Sequence, residues 1–188
     1  DLPYPMYNRS YYESDDMLLG ISKQTVNLVK NVLKDKPKED WAVNYVPHGI
    51  DPKKFYPIKG GTEELALKSF KEKYLGEEEF NFVMLWNSRN IRRKNMSDIV
   101  LAWRTFLDQL PEAQAKKCCL LMKTEISSDH GTDLNAVVKT FCDPEIHKVK
   151  FVTDRLDDKG MNYLYNCSDA HIFMTDNEGW GLGLTESL

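Results

Sequence analysis

Two glutamates and three glycines are concentrated at the carboxyl end of the sequence, in TDNEGWGLGLTESL (175–188). Carboxylates accept hydrogen bonds from vicinal hydroxyls, so Glu178 and Glu186 are suited to binding a sugar or a ribose. The backbone at the glycines can approach such a ligand or its phosphate closely, because glycine has no Cβ. These glycines are Gly179, Gly181 and Gly183. Spacing alone leaves two interpretations equally open: a ligand site, or a tight turn followed by a solvated Glu186.

The densest basic cluster of the chain is RNIRRK (89–94). Such a short cluster suits one phosphate-bearing small molecule better than a nucleic-acid duplex, although a solvated loop is the alternative. Across the chain, 25 basic and 29 acidic side chains give a formal charge of -4, without a long run of one sign. We therefore expect no nucleic-acid partner.

The four cysteines, at positions 118, 119, 142 and 167, form no CxxC pair and have no histidine spaced to complete a zinc site. The cysteines therefore predict no thiol-bound metal ion, and we expect no other metal ion or cofactor. Cys118, Cys119 and Cys167 lie in or beside apolar segments, which is typical of buried reduced thiols in a cytoplasmic protein. No apolar run approaches the roughly 18 to 20 residues that cross a bilayer. We expect no transmembrane segment in this chain, and peripheral membrane association of the full-length protein stays open.

Apolar runs of strand length alternate with segments of helical period, which predicts an α/β fold with a Rossmann-like open parallel sheet. Strands are predicted at 17–22, 41–46, 80–86, 118–123, 149–152 and 170–174, and helices at 24–34, 62–75, 95–110, 133–142, 161–167 and from about Leu182. Thr62 and Asn95 are candidate helix caps, and Leu65 and Phe106 are expected on buried helix faces. Ligands of such sheets bind at the carboxyl ends of strands, where loops 87–95 and 175–181 are expected.

Four blocks, in order, resemble glycosyltransferase family 4. VPHGIDPKKF is similar to VPNGVDxxxF, and NSRNIRRKN is similar to GRxxxxKG. FVTDRLDDKGMNYLYNCSDAHIFMTDNEGWG is similar to FLGxVxxxELxxLYxxADxFVxPSxxEGFG, and NEGWGLGLTES resembles the Glu-x7-Glu signature. The resemblance covers roughly residues 45–188. It implies one half of a GT-B fold, in which two Rossmann-like domains face each other, plus a remnant of the amino-terminal domain.

The resemblance also implies a role for each motif residue. Arg89 and Lys94 would bind the donor diphosphate and stabilise its charge during catalysis. Glu178 would lie near the donor sugar and contribute to catalysis or sugar positioning, and Glu186 would accept hydrogen bonds from the ribose. Further donor contacts are expected from Ser88, Gly179, Trp180, Gly181, Leu182, Asp154 and Arg155.

Several positions depart from the family pattern. Ser88 and Asn95 replace the two glycines of the first loop, so a tighter backbone is expected there, and Trp180 replaces the common Phe. Arg92 and Arg93 match no family position and are expected to be surface charges.

Three regions are predicted from this resemblance. Residues 1–46 would end the amino-terminal acceptor domain, 47–61 would link the domains, and 62–188 would form most of the nucleotide-sugar-binding domain. Because the sequence begins without Met and stops inside a predicted helix, we expect a piece of a longer protein.

The expected activity is retaining transfer of a hexose from a nucleoside diphosphate sugar to a hydroxyl acceptor. The acceptor, a glycan, a lipid or a small molecule, would bind through the domain that is mostly absent, so the piece alone would be inactive. Two alternatives stay open: a non-catalytic nucleotide-sugar-binding module, and a sugar-nucleotide epimerase.

Overall fold

Short apolar segments form a small parallel sheet in the first part of the chain. The computed structural model describes residues 9–188. Helix α1 (Arg9–Ser14) precedes strand β1 (Leu18–Gly20), helix α2 (Lys23–Val32) and strand β2 (Val43–Tyr45). Strand β1 pairs with β2 in parallel, and Val29, Leu33 and Val43 form a small core. Ser22 ends the predicted first strand early, because its Oγ caps α2 by accepting a hydrogen bond from the Thr25 amide at 3.0 Å.

The second part of the chain forms the larger αβ layer structure. Its elements are α3 (Thr62–Leu75), β3 (Phe82–Asn87), α4 (Met96–Leu107), α5 (Glu112–Ala115), β4 (Cys118–Lys123), α6 (Leu134–Phe141), β5 (Lys148–Val152), α7 (Asp158–Asn166), β6 (Ala170–His171) and α8 (Leu182–Glu186). The four strands pair in parallel in the order β5-β4-β3-β6. The predicted parallel α/β sheet is therefore confirmed.

Both faces of this sheet are covered by helices. On one face, Trp86 and Leu120 belong to a core with Ile99 and Trp103 of α4. On the other face, Leu85 and Leu121 belong to a core that includes Leu67 of α3 and Leu164 of α7. Successive strand residues point to opposite faces, so a strand covered on both faces is apolar throughout. This is why β3 and β4 are continuous apolar runs in the sequence.

Some local predictions are wrong. Gly61, with φ +77°, is the residue before α3, and no side chain caps that helix, so Thr62 is not a cap. Asn95 precedes α4 in the left-handed conformation, and its side chain does not cap the helix. Leu65 is 69% exposed and Phe106 is 41% exposed, so neither lies on a buried helix face.

The described residues divide into two units. One holds the described residues up to Gly49 together with Gly179–Leu182, and the other holds Ile50–Glu178 and Gly183–Leu188. The predicted linker 47–61 contains this division, but its second half docks within the larger unit: the Tyr56 and Ile58 amides donate to the side chains of Asn162 and Asn166. The predicted limits at 46 and 62 stay predictions, and residues 1–8 of the first region lie outside the described residues.

All four cysteines are free and buried, as the apolar context of three of them predicts. Burial raises the pKa of Cys119 and of Cys167 to about 12, so both thiols are protonated and inert at neutral pH. Over the part of the chain that the structure describes, no helix has the length and apolarity to span a bilayer.

Candidate functional site

The carboxyl ends of the parallel strands of the larger unit meet at one edge of the sheet. Asn87, at the end of β3, is in register with Lys123, and Lys123 is in register with Val152. From β3 the chain continues to β4 on one side, whereas β6 pairs on the other side. The strand order therefore reverses between β3 and β6. In open α/β sheets such a switch point opens a crevice at the carboxyl ends, and ligands bind there.

An ion pair joins the two loops at this switch point. Lys94 lies in a short 3₁₀ turn after β3, and its ammonium group contacts the carboxylate of Glu178 in the loop after β6. The ammonium also lies over the ring of Phe173, 5.2 Å from its centroid. The Lys94 side chain is only 8% exposed and that of Glu178 is 26% exposed. The structure therefore brings together two of the three residues predicted to act in catalysis.

Arg93 fastens the same two loops. Its guanidinium donates to the carbonyl of Asn177 and lies 3.6 Å from the Glu178 carboxylate. Its own carbonyl accepts from the Thr175 hydroxyl at 3.0 Å and from the Asp176 amide at 2.9 Å. The Arg93 side chain is 40% exposed, so it lies at the surface as expected, but it also joins the two loops, which was not expected. Arg92 is exposed as expected.

Asn95 connects the loops too. Its side-chain amide donates to the Asp176 carboxylate at 2.7 Å, which explains why it does not cap α4. Asn tolerates the left-handed conformation, here φ 50°, better than other non-glycine residues, and this position corresponds to a glycine of the family pattern. The replacement is therefore compatible with a backbone turn of that kind.

Arg89 and Ser88 are placed differently from Lys94. The Ser88 amide donates to the carbonyl of Lys123 at 3.3 Å, so the start of the loop continues the β3–β4 pairing. Arg89 is exposed, and its guanidinium makes no hydrogen bond or ion pair within residues 9–188. One predicted cation is thus held in an ion pair, and the other is available to a ligand.

The loop after β3 is also held from the β4 side, by a residue that sequence reasoning missed. Asn90 is 1% exposed, and its side-chain amide donates to the carbonyls of Glu125 and Thr132 at 2.9 and 2.7 Å. Its Oδ1 accepts from the Thr132 amide at 2.9 Å. A Cβ on Gly131 would lie 1.9 Å from the same Oδ1. A buried Asn in a loop leaves no periodic signal, and the only signal that could have found it is its place inside the basic cluster.

Glu186 also has a hydrogen-bond partner. The hydroxyl of Tyr165, on α7, donates to Oε2 of Glu186 at 2.6 Å. Burial, and then the bond to Glu186, raise the pKa of Tyr165, so its phenol keeps its proton. Glu186 is half-buried and hydrogen-bonded, which disfavours the alternative of a solvated Glu186. The predicted start of the last helix at Leu182 is confirmed.

The four residues that follow Glu178, Gly179–Leu182, are grouped with the smaller unit. Gly181 has φ +87°, a conformation that favours glycine, whereas a Cβ on Gly179 would make only an ordinary contact with Ile21 at 3.6 Å. The Trp180 ring meets that of His48 edge-on, with centroids 5.8 Å apart. Leu182 is 45% exposed. Their contacts with a donor stay predictions.

Asp154 and Arg155 follow β5 at the same edge of the larger sheet. Asp154 accepts hydrogen bonds from Lys73 and Tyr74 of α3, both at 2.7 Å, and these bonds lower the pKa of its carboxyl group. Arg155 lines a cavity of about 740 Å³ together with Leu156 and Asp157. The partners of Asp154 favour a structural role for it, and contact of either residue with a nucleotide base stays a prediction.

The comparisons with known proteins support the fold. No protein-family model and no curated protein sequence matches the chain. Sucrose-phosphate synthase from Thermosynechococcus elongatus matches with a TM-score of 0.66 and 19% identity, over 97% of this chain and 40% of that one. A glycosyltransferase from Rickettsia africae matches with a TM-score of 0.65 and 22% identity, over 100% and 46%.

A third match is an E. coli structure described as trehalose-6-phosphate bound with UDP-2-fluoro glucose, with a TM-score of 0.66 and 13% identity, over 98% of this chain and 46% of that one. The chain spans less than half the length of each of these three structures. At such identities the matches concern the fold alone: the helix-flanked parallel sheet of this chain is similar in fold to the Rossmann-like half of GT-B glycosyltransferases.

Proposed function

We propose that this chain supplies the donor-binding half of a retaining glycosyltransferase, which moves a hexose from a nucleoside diphosphate sugar to a hydroxyl group of a carbohydrate or lipid-linked acceptor. The observation that carries the proposal is the Lys94–Glu178 ion pair at the switch point, with Arg89 exposed in the same loop. The fold is shared with a sucrose-phosphate synthase and with an E. coli structure bound with UDP-2-fluoro glucose.

The proposed chemistry follows from the placement of charge. When the sugar bond breaks, the leaving diphosphate gains negative charge, and fixed cations beside it stabilise that charge. Lys94 has three N–H donors and can contact a phosphate oxygen while one donor stays on Glu178. Arg89 would add a planar, bidentate phosphate contact. We propose that Lys94 and Arg89 stabilise the negative charge of the leaving diphosphate without a metal ion.

Glu178 and the acceptor complete the proposed reaction. Glu178 would hold Lys94 and position the donor sugar. Departure of the diphosphate gives the sugar oxocarbenium character, and the acceptor hydroxyl attacks the same face, transferring its proton towards the leaving phosphate. This course comes from the family resemblance and predicts retention of the anomeric configuration.

Arg89→Ala in the 188-residue chain tests the donor site without disturbing the fold, because Arg89 is exposed. We expect binding of UDP-, GDP- or ADP-glucose, whichever the chain prefers, to weaken about 10- to 100-fold through loss of a charge-assisted phosphate contact. Calorimetric titration measures this change. Arg92→Ala is the matched control, since it removes an exposed cation from the same cluster, and it should change the Kd less than about twofold.

Equal losses in the two variants, or no binding of any of the three nucleotide sugars, would contradict the proposal. In the full-length protein, Arg89→Ala combined with Lys94→Ala should lower turnover by at least about 10²-fold, as expected when charge stabilisation of the leaving group is lost. Near-normal turnover, or inversion at the anomeric carbon detected by NMR, would contradict the mechanism.

A further inference from the structure

A chain of hydrogen bonds links the end of β3 to Glu186 through α7. The Asn87 amide donates to the Tyr165 hydroxyl at 3.1 Å, and this hydroxyl donates to Oε2 of Glu186 at 2.6 Å. The three residues come from sequence segments that are far apart, yet all lie within the larger unit. Tyr165 is 8% exposed, so the middle of the chain is shielded from water.

The chemistry of the groups fixes the direction of both bonds. A phenol has one proton, and burial and the neighbouring carboxylate raise the pKa of Tyr165, so the hydroxyl stays protonated. An ionised carboxylate only accepts, so Tyr165 must donate to Glu186. The phenol oxygen can then only accept from Asn87. Each group therefore acts in the only donor or acceptor role left to it, and the bond from Tyr165 holds the Glu186 carboxylate in one orientation.

Close packing of α8 supports this arrangement. A Cβ on Gly183 would lie 3.2 Å from Nδ2 of Asn87 and 3.7 Å from the Tyr165 hydroxyl. The glycine therefore lets the first turn of α8 approach the end of β3. One turn later, Ser187 Oγ lies 2.9 Å from Nδ1 of His171, so the helix is also held on the side of β6.

One carboxylate oxygen of Glu186 accepts the hydrogen bond from Tyr165, and the other can accept hydrogen bonds from a ligand. Oε2 accepts from Tyr165, which leaves Oε1 and a second lone pair of Oε2 to accept from neighbouring hydroxyls. A vicinal diol presents two such hydroxyls. A freely rotating carboxylate would lose entropy on binding them, whereas a fixed one would not.

We propose that Tyr165 and Asn87 are positioning residues, which orient Glu186 to accept hydrogen bonds from the two hydroxyls of the donor ribose. The proposal rests on the proposed function and goes beyond it, since it assigns the selection of ribose over a nucleoside without these hydroxyls to two residues to which the family resemblance gave no role. The buried Tyr165 hydroxyl connects Asn87 of β3 to the Glu186 carboxylate, which would contact the ligand.

Tyr165→Phe in the 188-residue chain tests this assignment, because it removes the hydroxyl and keeps the ring that contacts Phe55. The Kd values of UDP, GDP and ADP are measured against those of their 2′,3′-dideoxy analogues. We expect the unaltered chain to prefer the ribose form of its nucleotide about tenfold or more. Tyr165→Phe should reduce this preference at least about fivefold, and leave the Kd of the dideoxy form unchanged.

Tyr163→Phe, on the same helix, is the matched control, and it should keep the preference for ribose. A thermal melt of each variant establishes that the fold is intact. If Tyr165→Phe weakens both nucleotide forms equally, Tyr165 has only a structural role and the proposal is wrong. If the unaltered chain binds the nucleotide without preferring ribose, the proposal fails and the proposed function stands. Absence of any nucleotide binding overturns both.

Discussion

At the scale of single residues, Arg89 and Lys94 differ more than their shared motif indicates. Lys94 is buried against Glu178 and Phe173, whereas Arg89 is exposed. The sequence could single out both cations, because their spacing matches a phosphate-binding loop. It could not show that Lys94 and Glu178 form an ion pair, because the partners of a charged side chain are set by the tertiary fold, and these two residues are 84 positions apart in the sequence.

Glu178→Gln tests the contribution of this ion pair to stability. The substitution leaves the ammonium of Lys94, whose side chain is 8% exposed, without a charged partner. We expect the free energy of unfolding to fall by about 1–2 kcal/mol, less than for a fully buried pair because Glu178 is 26% exposed. Urea denaturation measures the change.

Glu112→Gln is the control for this experiment. It breaks an ion pair with Lys116 in which both side chains are exposed, so it should change the urea midpoint little. Equal effects of the two substitutions would mean that the Lys94–Glu178 pair stabilises the fold no more than a surface pair.

At the scale of elements, the length and the apolar pattern of each helix or strand determined whether the sequence could predict it. The runs that became β3 and β4, and the amphipathic period of α4 and α6, gave strong signals. Helix α5 was missed because four residues are too few to show a period. Strand β6 was predicted over 170–174 but covers only Ala170–His171, because its register with β3 is limited to these two residues.

Gly131→Ala tests the contact between the loops after β3 and β4. The new Cβ would lie 1.9 Å from Oδ1 of Asn90 and 2.5 Å from its carbonyl oxygen, so the backbone must shift. We expect a loss of about 1–3 kcal/mol in the free energy of unfolding, together with weaker donor binding, because Asn90 adjoins Arg89. Calorimetric melting and nucleotide titration measure the two effects.

Gly49→Ala is the matched control, because a Cβ at that position meets no atom within 4 Å. It should be neutral or slightly stabilising, since alanine restricts the unfolded chain more than glycine does. A neutral Gly131→Ala would show that the two loops are not in close contact.

At the scale of the whole molecule, the predicted edge of the sheet is the edge where the candidate site lies. Parallel pairing follows from the alternation of strands and helices, and it brings all carboxyl ends to one edge. The reversal between β3 and β6 could not be predicted, because strand order depends on packing that periodicity does not encode. The grouping of Gly179–Leu182 with the smaller unit likewise depends on contacts distant in sequence.

The pH dependence of unfolding links one strand residue to the stability of the whole chain. Burial lowers the pKa of His171 from 6.5 to about 4. Between these values the unfolded chain binds a proton that the folded chain does not, so stability is full above pH 6.5 and falls as the pH falls towards 4. Allowing for partial exposure, the loss attributable to His171 between pH 7 and pH 5 should be about 1 kcal/mol.

Urea denaturation at the two pH values, for the unaltered chain and for His171→Gln, measures this loss. Glutamine does not titrate, so the His171→Gln variant should lose less stability between pH 7 and pH 5, by the amount attributed to His171. The carboxylates contribute equally to both proteins. His130→Gln, which replaces an exposed histidine, should keep the full dependence. If His171→Gln keeps it as well, His171 is as readily protonated in the folded chain as in the unfolded one, and its contact with Ser187 is open to water.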